Sequence, residues 1–524
     1  VSGGVKSPFL AFLALTATAA GALVMVVEIM GSRVIGPFFG ATLFVWTSLI
    51  TVTLVALGLG YAAGGWLADR KGTPDVLYAL LFAAGVSALL VPLLRAPVIR
   101  AAAPLGLRAG ALAASAVLFG PCLLLLGSAS PFFVKIAASE LSRVGRTVGA
   151  FAALSTLGSV IGSALTGFVL IAYLGVRGVF TLVGAVLIGL ALVYFAGMRR
   201  RFRLLPALVL PLFLAAASGA PASKQLAGGG SVERLLRREG FYGTLQVLDY
   251  RYGAARMRDL VLDGLAQSGI DLDSGASVYE YTYHLERLLL GMRPGAQRAL
   301  VIGLGAGVIP RSLEARGVTT DVVEINQEIV DVARRYFGFT ARGAVHVQDA
   351  RLFLARPGRR YDYIVLDAFG GDQAAPQLLT LEAAQLLRER LAEGGLLGIN
   401  LIGGVGRESL ATASIVRTLR EVFLSVELFA AFDVEAKAAF GNVLLVARAG
   451  PPLPFVPERV RDLPVHPYVR ASVERFLGRR VELPAGTPAL LITDDYNPLD
   501  TLELWSKEGL RRAILGAVDW DMLL

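Results

Sequence analysis

Val301-Ile-Gly-Leu-Gly-Ala-Gly307 is the stretch on which the reading of this 524-residue chain turns. An apolar run leads into it and a helix-length run follows, the strand–turn–helix order in which glycines let a ligand approach the backbone and helix N–H groups face it. Glu324 closes the next apolar run, about 20 residues on, where a carboxylate can accept both hydroxyls of a ribose. A dinucleotide loop calls for a small residue at position 308, and this chain has Val308. The Gly-x-Gly-x-Gly form therefore favours an adenosyl sulfonium over a nicotinamide dinucleotide.

Working outward, apolar runs at Arg298–Gly303, Val318–Ile325, Ala344–Gln348, Tyr361–Asp367 and Leu396–Leu401 read as buried parallel strands separated by helix-length segments. Val426–Phe429 and Asn442–Ala447 supply a last antiparallel pair. Asp349 follows the third run and can accept from an adenine amino group. Asp367 ends the fourth, at the carboxyl edge of a central strand, where open α/β sheets place their chemistry. Upstream, Gly243–Tyr250 and Met257–Asp263 read as two short strands about a turn, and a helix is predicted over Val278–Leu290. Gly228-Gly-Gly-Ser231 marks a linker.

The N-terminal part is a different material. Mean hydropathy of +0.62 with 55% hydrophobic residues is too apolar for a soluble enzyme, and the excess lies in seven segments. These are Phe9–Ile29, Leu43–Leu67, Val76–Leu94, Ala109–Leu126, Val148–Ala172, Val179–Phe195 and Leu204–Ala217, the last short and holding Pro206 and Pro211. Gly60-x-x-x-Gly64 and Gly158-x-x-x-Gly162 read as small faces for close helix packing. Through Lys224 the chain has 16 basic and 4 acidic residues, against 34 and 37 afterwards. The basic excess thus belongs to membrane-flanking loops rather than to a nucleic-acid surface. Ten basic residues in the loops on the N-terminal side against five opposite place the N-terminus in the cytoplasm. Seven full spans would put the C-terminal half outside. The expectation is instead a cytoplasmic catalytic domain, with Leu204–Ala217 not crossing or matched by a further span. One cysteine, Cys122, excludes an intrachain disulfide, and three scattered histidines make a metal site improbable.

The expected fold is a multi-pass α-helical membrane domain (1–222, about seven spans) and a linker (223–239). A small β element (240–285) and an α/β Rossmann-like, methyltransferase-type catalytic domain (286–524) follow.

The order of motifs is similar to that of the spermidine synthase (polyamine aminopropyltransferase) family. The marks are Leu262-Asp-Gly-Leu-Ala-Gln267, Tyr279-Glu-Tyr-Thr-Tyr-His284, the glycine loop, Val323-Glu-Ile325, Gln348-Asp-Ala350 and Tyr361–Asp367. Leu491-Ile-Thr-Asp-Asp-Tyr-Asn-Pro498 resembles a motif of its membrane-fused branch. The resemblance implies that Gly303, Gly305, Ala306 and Gly307 with Gln267, Glu324 and Asp349 hold the nucleoside, that Tyr283 and His284 line an amine pocket, and that Asp367 is the base. It implies decarboxylated S-adenosylmethionine, or S-adenosylmethionine itself, as cosubstrate. The expected partners are a small-molecule amine, the bilayer and a second copy of the chain, with no nucleic acid and no metal.

The chain departs from the family where the family binds charge. Ala306 stands at its loop acid and Gly370 at its second acid, with Asp372 near. Leu285 and Gly243 replace a Glu and a Gln. The leading expectation is a membrane-anchored aminopropyltransferase acting on a diamine such as putrescine. The alternatives are methyl or aminocarboxypropyl transfer from S-adenosylmethionine, and a polyamine- or nucleoside-sensing transporter that binds without turnover.

Overall fold

The computed structural model describes residues 7–40, 43–138, 144–199, 211, 223–226, 229–369, 375–406, 409–436 and 440–502. The chain divides into two compact units, one built on the N-terminal helices and one on two β-sheets.

Among the described residues of the helical unit, six helical stretches are long and apolar enough to cross a membrane, from Pro8–Phe39 to Val176–Met198. They suggest a multi-pass membrane region. The predicted span Ala109–Leu126 is corrected: it straddles a break at Phe119 between the helices Gly106–Leu118 and Gly120–Ala137. Pro121 sits in the first turn of the second helix, where a missing N–H costs nothing but ends the helix before it. The first helix runs Ser7–Phe39, ten residues past its predicted end. Leu204–Ala217 lies, but for Pro211, outside the described residues. Both glycine pairs pack helix on helix. A β-carbon on Gly60 or Gly64 would come within 2.4 Å of Leu124 O or 2.3 Å of Ser128 O. One on Gly158 or Gly162 would lie 1.9 Å from Thr18 O or 2.3 Å from Ala22 O. Only glycine allows these backbones to meet.

The second unit opens with a five-stranded antiparallel sheet in the order β1-β2-β3-β4-β5: Ser223–Gln225, Ser231–Gly240, Gly243–Tyr252, Ala255–Leu262 and Leu265–Asp271. The predicted linker 223–239 is thereby corrected to two strands. The charges of Val232-Glu-Arg-Leu-Leu-Arg-Arg-Glu239 break the alternation that marks a half-buried strand, which hid it. Leu245, Val247, Leu260 and Leu262 form an apolar face that packs on Val308, Val332 and Phe337 of the second sheet's helices.

That second sheet has eight strands. β6 (Arg298–Ile302), β7 (Thr319–Glu324), β8 (Val345–Val347), β9 (Tyr361–Leu366) and β10 (Leu391–Gly404) are parallel, in the order β10-β9-β6-β7-β8. β11 (Ser425–Ala430), β12 (Phe440–Arg448) and β13 (Arg480–Val481) extend it antiparallel beyond β10 as β10-β12-β11-β13. Successive residues of β6 and β9 enter opposite cores: Leu300, Ile302, Ile364 and Leu366 on one face, Ala299, Val301, Tyr363 and Val365 on the other. Burial on both faces is why these strands read as unbroken apolar runs. β6 and β9 are neighbours, so the glycine loop after one and Asp367 after the other emerge side by side.

Candidate active site

Gly303, Gly305 and Gly307 all adopt positive φ, at 93°, 54° and 74°. At Gly303 a β-carbon would stand 2.1 Å from the backbone oxygen of Asp367, and at Gly307 2.6 Å from the ring of Phe339. The loop therefore lies flush against the end of β9 and turns directly into the helix Val308–Ala315. Glu324 is 6% exposed and reaches back under the loop. Its Oε2 accepts from Leu304 N at 3.0 Å and its Oε1 from Asn326 N at 2.9 Å. Burial pushes its carboxyl up from the usual range, and these backbone donors oppose the rise. The result is a glycine-walled cradle with a carboxylate at its rim.

Asp367 begins where β9 ends. Its Oδ1 accepts from Asn400 Nδ2 at 2.8 Å, Asn400 Oδ1 accepts from Asn442 Nδ2 at 3.0 Å, and the Tyr281 hydroxyl also bonds the carboxyl. Burial raises Asp367 to about 6 despite both donors. A carboxylate so placed is ionised at neutral pH yet a better proton acceptor than one in water.

The glycine-rich cradle and the buried acid both fall within the stretch that matches a known family. A profile of the spermine/spermidine synthase domain matches residues 279–432. The chain carries a spermine/spermidine synthase domain. It is 30% identical over 247 residues to an N-terminal histidine N-methyltransferase of Emericella nidulans, covering 43% of each chain. A polyamine aminopropyltransferase of Vibrio vulnificus is 34% identical over 129 residues, 23% of this chain and 43% of that one. The chain thus spans less than half the length of these two relatives. A probable spermidine synthase from Corynebacterium glutamicum overlays 52% of this chain and 93% of its own at 20% identity and a TM-score of 0.38.

The remaining predicted residues are placed unevenly. Gln267 lies on β5, and its backbone oxygen accepts from the Tyr281 hydroxyl at 3.3 Å, one contact away from Asp367. Asp349 caps the helix Ala350–Ala355 by accepting from Leu352 N at 3.1 Å. The Ala306 side chain is fully buried in the apolar cluster of Leu245, Val247, Leu262 and Phe337. That corrects its expected role: only its backbone can serve a ligand. Tyr283 is corrected too. Its hydroxyl donates to Ser277 O at 2.8 Å and its ring packs on Val469 and Val473. On the helix Glu280–Met292 the face toward the sheet is Tyr281, Leu285, Leu288, Leu289 and Met292, so position 281 rather than 283 reaches Asp367. His284 is wholly buried, with no partner for either ring nitrogen among the described residues; burial and the nearby Arg287 lower it to about 4. Asp372 lies outside the described residues.

Tyr281, Asn400 and Asn442 escaped the sequence reading. One signal for Asn400 existed, a lone amide in the apolar run Leu396-Leu-Gly-Ile-Asn-Leu401. The motif Thr493–Pro498 also finds a place. Asp494 Oδ1 accepts from Thr380 Oγ1 at 2.7 Å, its Oδ2 accepts from Arg351, and Asn497 Nδ2 donates to Pro376 O at 2.9 Å. Arg351 also donates to Thr380 Oγ1 at 3.1 Å. These bonds join the helix begun by Asp349 to the chain that returns from Asp367, which closes on itself where Ala375 N donates to Ala368 O at 3.0 Å.

Proposed function

We propose that this chain alkylates an amine nitrogen with an adenosyl sulfonium, Asp367 taking the amine's proton. The observation that carries the reading is the carboxyl of Asp367, raised to about 6 and held by Asn400 and Tyr281 at the mouth of the glycine cradle. A protonated amine has no lone pair, so its proton must be withdrawn or shared before nitrogen attacks the carbon beside sulfur. The sulfonium is already an activated leaving group, so the rest of the acceleration comes from alignment. Glu324 is suited to the ribose hydroxyls, and the flush backbone of Gly303–Gly307 to the nucleoside. Asp349 already caps a helix and has lone pairs left for an adenine amino group.

The donor has two readings. The synthase domain favours decarboxylated S-adenosylmethionine and aminopropyl transfer to a diamine such as putrescine. The burial of Ala306 in an apolar cluster favours S-adenosylmethionine and methyl transfer, because no acid stands there to meet an aminopropyl ammonium. The similarity to a histidine N-methyltransferase points the same way. The products separate them. The purified protein, given each cosubstrate with candidate amines, should release methylthioadenosine in the first case and S-adenosylhomocysteine in the second. Release of neither with any amine overturns the enzymatic reading in favour of binding without turnover.

For the membrane region we propose an anchor that leaves the synthase domain in the cytoplasm, beside its cosubstrate. The six apolar stretches among the described residues would return the chain to the side on which it entered, and the loop charges put that side inside. A reporter fused after Leu524 and active only in the periplasm would overturn this placement.

A further inference from the structure

Through Met198 the described residues hold three acids, and they are not alike. Asp69 pairs with Lys135 at 3.0 Å and Asp75 with Arg199 at 2.9 Å, each acid in the end turn of its helix. Glu28 has neither ion pair nor hydrogen bond among the described residues. It stands inside the apolar stretch Pro8–Phe39, whose one other charge is Arg33. Arg33 is five residues on, about 140° round the helix and about 7 Å nearer its end. It bonds a backbone oxygen instead. A carboxylate inside a bilayer is costly without a partner, which marks it as a functional position.

The surroundings say what could offset that cost. Glu28 lies two turns beyond Gly21, on the face turned to the helix Val144–Leu165, where a β-carbon at 21 would stand 2.1 Å from Ser155 O. Three residues past Glu28, a β-carbon on Gly31 would lie 2.6 Å from Leu49 and 3.2 Å from the Phe119 ring. Glu28 therefore faces between these two sets of neighbours and is only partly buried. Ser159 Oγ donates to Gly21 O at 3.1 Å. Ser163, one turn on from Ser159, has no hydrogen-bond partner among the described residues.

Thr18 meets Gly158 and Ala22 meets Gly162, so the two helices run parallel. Carried upward in the same register, the level of Glu28 falls in the π-helical turn Thr166–Leu170. Such turns open the hydrogen-bond ladder and occur frequently at functional sites. This helical stretch, Val144–Leu170, is also the least covered: 17% of its apolar window is buried, against 39% or more for the other five.

A metal cation is a poor fit, because it takes several oxygen ligands. No group of three His, Cys, Asp or Glu side chains gathers among the described residues. An alkylammonium ion fits, since its charge needs one carboxylate and its stem needs apolar walls. We propose that Glu28 is the anionic end of a site for an alkylammonium ion within the helical unit, with Ser163 as a second acceptor and Leu49 and Phe119 along the stem. The site requires the helical unit to lie in a bilayer and is independent of the alkylation at Asp367.

Dicyclohexylcarbodiimide tests this on the full chain in phosphatidylcholine vesicles. The reagent partitions into lipid and adds to protonated carboxyls as an N-acylurea, which peptide mass spectrometry locates. Glu28 should be modified while Asp69 and Asp75 are spared. Saturating butylammonium chloride should slow that modification about tenfold, and potassium chloride at equal strength should not. Ser163→Ala should leave the modification in place and raise the butylammonium concentration for half-protection about 3- to 10-fold. An unchanged half-protection overturns the part given to Ser163. Equal protection by both salts, or by neither, overturns the site, as does an unreactive Glu28 in protein that floats with the vesicles. Protein that does not float removes the bilayer and the site together, and leaves the chemistry at Asp367 untouched.

Discussion

The two proposed halves of the site, one for a nucleoside and one for an acceptor, are built on different physics. The nucleoside side meets its polar needs with backbone: Leu304 N and Asn326 N hold Glu324, and three left-handed glycines bring main chain within touching distance of Asp367 and Phe339. The proposed acceptor side is made of side chains, and its acid, Asp367, carries charge at a cost, raised to about 6 by burial. Substitution on the first side causes collision or leaves N–H groups unpaired. On the second it relieves the fold and removes the chemistry. Stability and activity should therefore respond oppositely on the two sides, and mutants can break that contrast.

Asp367→Asn carries the largest expected effect on turnover. The amide keeps the shape and can still accept from Asn400, so activity should fall by roughly 10²–10⁴ with nucleoside affinity little changed. In wild type the rate should fall about tenfold per pH unit below 6, and that limb should vanish in the variant. Stability has the opposite sign. Because the folded carboxyl is raised above its ordinary 3.8, the folded state binds the proton more tightly. Wild-type stability should therefore rise as pH falls from about 6 to 4. The variant should lose the share of that slope that Asp367 supplies and be more stable at pH 7 by an amount of about 3 kcal/mol at most. A destabilised Asp367→Asn protein would show the acid to be a structural partner.

On the nucleoside side Glu324→Ala should raise the dissociation constant for S-adenosylhomocysteine or methylthioadenosine about 10- to 100-fold, because the proposed ribose contacts go and Leu304 N and Asn326 N lose their acceptor. Its melting temperature should fall, in contrast to Asp367→Asn, while the acidic limb near pH 6 stays put. Ala306→Asp sharpens the same contrast. An acid here enters the cluster of Leu245, Val247 and Phe337, so it should lower the melting temperature markedly. A stable Ala306→Asp protein that newly prefers the decarboxylated cosubstrate would mean the cluster opens to the ligand.

The contrast also explains what the sequence disclosed. The nucleoside side depends on contacts close along the chain: a glycine loop, an acid at the next strand end and a capping aspartate at the one after. Buried parallel strands write themselves as apolar runs, so β6, β7, β9 and β10 are legible, as are the long apolar helices of the N-terminal unit. The acceptor side is assembled by pairing. Asn442 meets Asn400 because β12 lies antiparallel to β10, and Tyr281 rather than Tyr283 faces Asp367 because of helical phase. Neither relation is visible in one sequence. β2 was missed for a related reason, since its charges obscure the period that a half-buried strand would show.

The smallest expected effect lies where the two sides are tied. Asp494 is partly exposed, and an isolated surface ion pair adds little to stability. Its bonds are nonetheless placed to matter, because Arg351 lies two residues after Asp349 and Thr380 lies on the chain returning from Asp367. Asp494→Asn keeps one acceptor oxygen for the two donors. Melting should therefore shift by only a few degrees, as for a loss of about 1 kcal/mol. Turnover should fall more than that implies, roughly threefold to tenfold, through misplacement of one side against the other. Arg351→Met should do the same, and the double variant should lose no more than either single one. Additive losses would show that Arg351 and Asp494 act separately, leaving the cradle and the acid to be aligned by the sheet alone.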